Sequence, residues 1–96
     1  MNTLVLAERQ TIENIGELRE EVLRALDHAQ ATRVDASGVE KIDTAAMQLL
    51  AVLWRNAARD GKPPRLDRPS SEFQRVAELL DLAGLFGTGG DGSLTL

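Results

Sequence analysis

The chain opens on a short apolar run, Thr3-Leu4-Val5-Leu6, which carries a β-branched residue and predicts a strand. Arg9 to Ile12 suit a short second strand that pairs back on the first. From Asn14 the period changes. Ile15, Leu18, Val22, Leu26 and Ala29 recur three and four apart, with Glu17, Arg19, Glu20, Glu21 and Arg24 between them. That spacing puts one apolar stripe on a helix. Asn14, with Glu17 three residues on, fits a capping start. His28 falls near the helix end, where a titrating group interacts well with the free carbonyls.

Arg33-Val34-Asp35-Ala36 predicts a short strand, broken by Ser37-Gly38. Val39 to Ile42 read as a connection that ends at Asp43-Thr44. From Ala45 to Asp60 the apolar residues leave little polar face in the first half, as in a helix buried against a sheet. Gly61 and then Lys62-Pro63-Pro64 stop it. Arg65-Leu66-Asp67-Arg68, bracketed by Pro64 and Pro69, predicts an edge or short strand. Ser70 or Ser71 caps a further helix, and Ser71 with Gln74 fits a capping box. Phe73, Val76, Ala77 and Leu80 form its inward stripe. Gly84 is expected to end it, with Leu85-Phe86 tucked under as an anchor. Residues 1–86 therefore read as one domain. Residues 87–96, with four glycines, read as a flexible tail.

This order predicts an α/β fold: a four- to five-stranded, mostly parallel or mixed sheet with three or more helices packed mainly on one face. The 96 residues suit a single domain. With 43% hydrophobic residues and only Trp54, Phe73 and Phe86 as aromatics, the core has to be built from Leu, Val, Ile and Ala. No signal peptide is expected at Met1-Asn2-Thr3-Leu4, and no apolar run is long enough to span a bilayer. A cytoplasmic location without membrane insertion is the expectation. The net charge of −4 argues against nucleic acid as partner. Arg55, Arg59, Lys62, Arg65 and Arg68 crowd together, and read as a solvated face rather than an anion site.

Catalytic readings find little support. With no cysteine and one histidine, neither a nucleophilic triad nor a thiolate or histidine metal site assembles. Asp35 and Asp43 both fall at strand ends, where two carboxylates are a minimum for Mg²⁺. Gly87-Thr88-Gly89-Gly90-Asp91-Gly92 lacks the Lys-Ser/Thr of a phosphate loop, and no helix follows it. No enzyme, cofactor or metal is expected. Asp43-Thr44 stands out instead. Either residue satisfies free N–H groups at a helix start, worth about 1 kcal/mol. An exposed hydroxyl there is also a place where one phosphate adds about −1.5 to −2 charges. Capping alone and a switch both remain open on the residues themselves.

The run from Val34-Asp35-Ala36-Ser37 through Ile42-Asp43-Thr44-Ala45-Ala46-Met47-Gln48-Leu49-Leu50 resembles the signature of STAS domains, named for sulphate transporters and anti-sigma factor antagonists. That pattern is a strand ending in Asp-Leu-Ser, a few residues, then Asp-Ser/Thr-Ser/Thr-Gly opening an apolar helix. Leu79-Leu80-Asp81-Leu82-Ala83-Gly84-Leu85-Phe86 is similar to the family's closing segment. The resemblance covers the chain from the first strand to Phe86.

The resemblance implies that Thr44 holds the position of the phosphorylatable hydroxyl. In bacterial anti-sigma factor antagonists, that residue is modified by a histidine-kinase-like Ser/Thr kinase that is itself the anti-sigma factor. Asp35, Ser37, Asp43, Thr44, Ala45, Met47 and Gln48 become the expected docking residues, with Thr44 as switch. Ala45-Ala46 departs from the pattern: a second hydroxyl and a glycine are missing, so the turn is stiffer. The Asp-Thr pair also resembles the soluble subunit of phospholipid-trafficking ABC transporters, which docks on the ATPase subunit. Other members are adaptors of chemotaxis and signalling clusters. The sequence leaves open which partner applies, and whether the chain pairs with a second copy.

Overall fold

The computed structural model describes residues 2–87. The predicted tail, apart from Gly87, lies outside the described residues. The elements run β1 (Asn2–Val5), β2 (Arg9–Gln10), a 3-10 turn (Ile12–Asn14), α1 (Ile15–Asp27), β3 (Thr32–Asp35), β4 (Lys41–Ile42), α2 (Thr44–Arg59), β5 (Arg65–Asp67), α3 (Ser71–Leu79) and α4 (Ala83–Phe86). The α/β architecture is the one expected, with five strands divided between two parallel sheets, β1-β3-β5 and β2-β4.

Two strand assignments differ from the sequence reading. β2 does not pair back on β1. It lies parallel to β4, a strand inside what reads as the Val39–Ile42 connection. The register runs Arg9↔Lys41 and Gln10↔Ile42. Backbone bonds from Leu6 to the Asp35 carbonyl (3.0 Å) and from Asp43 to the Gln10 carbonyl (3.1 Å) carry the pairing on either side of the break. Two residues are too few to show a period, so β4 leaves no pattern in the sequence.

The three-stranded sheet is covered on one face. Leu4 and Val34 are buried there, with Leu66 packed against the same core, while Thr3, Val5 and Arg65 on the alternate positions are exposed. α2 supplies the centre of the core: Ala46, Met47, Leu50, Leu53 and Trp54 are buried. The chain's three aromatics meet at its far end. Phe86 of α4 sits edge-on to Trp54 at 4.8 Å and tilted against Phe73 at 5.5 Å, so the expected anchor is present.

Helix ends show how sequence signals were reassigned. Asn14 makes no side-chain cap for α1. It instead completes a reciprocal box with Thr11 around the 3-10 turn and donates to the Arg9 carbonyl at 2.8 Å. His28 does not cap α1 with its ring, whose Nδ1 accepts from Gln30 N–H at 3.2 Å. Lys62 Nζ does that work, donating to the Leu26 carbonyl at 3.3 Å and also to that of His28. Lys62 is therefore drawn from the expected solvated cluster into the fold. α2 ends as predicted, with Gly61 at φ 78° and Lys62 N–H on the Ala57 carbonyl at 2.8 Å. α3 is capped by Ser70, whose Oγ accepts from Phe73 N–H, not by a Ser71–Gln74 box; Gln74 donates to the Pro69 carbonyl. It ends at Leu79, five residues before Gly84, through the same motif built on Asp81 at φ 60°.

Candidate functional site at the start of the second helix

Parallel strands joined through helices bring loops together at their C-terminal ends. Two polar knots form there. The first is built on Asp43. Its extended backbone (φ −102°, ψ 177°) stops β4, and its Oδ1 accepts from Ala46 N–H at 3.0 Å. The second oxygen, Oδ2, accepts from Ile12 N–H at 2.8 Å. One carboxylate thus ties the 3-10 turn to the first turn of α2. Thr44 follows immediately, exposed and in the helix's first turn.

Beyond Thr44 the outer face of α2 continues through Gln48, Val52 and Arg55, all exposed, with Ala45 and Leu49 half-buried beside them. A shallow groove follows that face, lined by Gln48, Ala51, Val52, Arg55, Leu80 and Leu82. Leu79, at the end of α3, is 70% exposed. On the other side of Thr44, Ile12 is 61% exposed directly against Asp43. Neither Ile12 nor this groove is evident in the sequence. Ile12 reads there as a strand residue, and Leu80 as part of a buried stripe.

The second knot is at the end of β3. Asp35 Oδ1 accepts from the Ser37 N–H at 2.9 Å and from its hydroxyl at 2.7 Å, closing the loop. Asp35 Oδ2 takes Arg68 at 3.2 Å, and Arg68 also reaches Asp67 at 3.8 Å. The Ser37 hydrogen bonds first, and the Arg68 charge after them, hold the Asp35 carboxyl below its ordinary range. Arg68 has a left-handed backbone, φ 49°, just before Pro69, a conformation that costs an ordinary residue about 1 kcal/mol or more. Ala36 carbonyl then accepts from Ser70 N–H at 3.1 Å, fastening this loop to the start of α3.

Of the expected docking residues, Thr44 and Gln48 share an exposed helix face, with Ala45 partly exposed beside them. Asp43 positions that face. Met47 is a correction: it is 0% exposed and packs in the core, because position 47 points inward with Leu50 and Trp54. Asp35 and Ser37 bond to each other, and Asp35 also to Arg68. Asp35 and Asp43 are committed to different partners, and the described residues hold no group of three or more His, Cys, Asp or Glu placed to bind a metal ion.

Comparison with known proteins adds the family. Residues 2–87 match the family model described as Mlab, STAS domain. The chain belongs to the STAS family, and the match spans the whole described fold. No curated protein matches it.

Proposed function

We propose that the chain is a non-catalytic docking module that uses the outer face of α2, from Thr44 through Gln48, to bind an ATP-binding partner in the cytoplasm. The observation that carries this is the rigid presentation of an exposed hydroxyl: Asp43 clamps two elements with one carboxylate, and Thr44 sits free beside it. The partner in this reading is an anti-sigma factor of the histidine-kinase-like class, and Thr44 is the switch. A phosphate at a helix N-terminus is tolerated by the dipole, while Asp43 next to it and a docked protein surface would repel it. The domain would remain folded and the partner would leave. Among the described residues, no helix is long and apolar enough to cross a membrane.

A second reading is favoured by a specific feature. Ala45-Ala46 stand where the phosphorylated members carry a hydroxyl and a glycine, and the matched family model carries the name Mlab. In this reading Thr44 is a constant contact on the ATPase subunit of a phospholipid-trafficking ABC transporter. Incubating the chain with the kinase and ATP separates the two. The switch predicts a mass gain of about 80 Da on Thr44. The subunit reading predicts no gain and a stoichiometric complex with the ATPase that both Thr44→Ala and Thr44→Glu weaken. Absence of both a gain and a complex overturns the docking role.

A further inference from the structure

All-parallel sheets ordinarily have both faces covered. Here helices cover one face of β1-β3-β5, and the opposite face is open. The register arranges that face in two rows. Thr3, Arg33 and Arg65 form one, and Val5, Asp35 and Asp67 the next. Arg33 and Arg65 are direct cross-strand neighbours of like charge, an arrangement that destabilises a sheet by itself. Among the described residues neither makes an ion pair. Asp35 and Asp67 are held by Arg68 at one end of the face, and Val5, at 63% exposure, is its apolar residue.

We propose that this open face is the contact between two copies of the chain, packed face to face about a twofold axis running across the strands. The charges select that axis. Rotation about an axis across the strands reverses their direction and exchanges the two rows. Arg33 then lies over Asp35 of the second copy and Arg65 over its Asp67, and each pairing occurs twice. Rotation about an axis along the strands would keep the rows in place and set Arg33 against Arg33 and Asp35 against Asp35. The face is self-complementary only in the first arrangement. The strands are short and the charged groups must shed water to meet, so the dimer is weak and salt-sensitive.

The test is sedimentation velocity on the full chain with a charge exchange. Wild type is expected to shift from monomer toward dimer as protein approaches roughly the millimolar range, as weak interfaces do. The shift should fade as salt shortens the screening length from about 10 Å at 0.1 M to about 3 Å at 1 M. Arg65→Asp alone and Asp67→Arg alone each place like charges opposite one another and should stay monomeric, with circular dichroism showing each folded. Mixed in equal amounts they restore both pairings, and the heterodimer should form. A wild type that stays monomeric throughout, whatever covers the face, overturns the proposal. So does a folded pair of variants that fails to associate on mixing, or a single variant that dimerises like wild type. None of these outcomes bears on Thr44, which lies in the helical layer.

Discussion

At Asp43 a single carboxylate holds two backbone N–H groups in different elements, so its loss exceeds that of an ordinary cap. Asp43→Ala should lower stability by about 2 kcal/mol, one cap of about 1 kcal/mol plus a comparable hydrogen bond. Thermal melting followed by the buried Trp54 would read this directly. Thr44→Ala touches no such bond and should change stability by less than about 0.5 kcal/mol, the usual range for an exposed site. Asp35 carries the acid response. Its pKa is lowered in the folded state, so its contribution is full above the unfolded carboxylate value of about 4 and is lost as pH falls through the lower folded value. Glu72, held low by Arg75, acts in the same window. Asp35→Asn should flatten the fall in stability below about pH 4, measured by denaturant titration across pH. The cap at Asp43 is legible in the sequence because a cap needs only local spacing. Its second bond, to a residue 31 positions away, is not. Met47 was misplaced for a related reason: a helix apolar nearly all round gives no phase, so which of its residues face outward depends on the neighbours it packs against.

Helix ends show the same division between local and distant signals. Gly61 could be read as the end of α2, because glycine takes a positive φ without strain. The end of α3 could not, because Asp81 holds the left-handed position where glycine is expected. Asp81→Gly should therefore stabilise the protein by about 0.5 to 1 kcal/mol, less the entropy glycine gains when unfolded. Chemical denaturation would show it as a raised midpoint at constant slope. Lys62 closes α1 from 34 to 36 residues away, so no scan of α1's own sequence finds it. Lys62→Met keeps the stem and removes the donor. It should cost about 1 kcal/mol, and hydrogen exchange should rise in the last turn of α1 before it rises elsewhere.

For the molecule as a whole, the order of strands and helices is readable from the sequence apart from β4 and α4. The division of the strands into two sheets is not. β2 and β4 are too short to show alternation, and their pairing follows from Asp43 and Gln10 being drawn together beside α2. That same joint makes the candidate surface what it is. The helical layer places Thr44, Gln48 and Val52 outward on one continuous stripe, flanked by Ile12 and by the groove that Leu80 and Leu82 line. The docking account rests on that stripe being the contact. Its most direct measurement is calorimetric titration of the full chain against the purified anti-sigma kinase and the purified ABC ATPase subunit of its own organism. Thr44→Glu would be run in parallel, with its melting temperature checked. The account predicts that wild type binds one of the two partners. It also predicts that Thr44→Glu, still folded, binds at least about tenfold more weakly, a loss of about 1.4 kcal/mol or more. Undiminished binding by Thr44→Glu, or no binding of wild type to either partner, would contradict it.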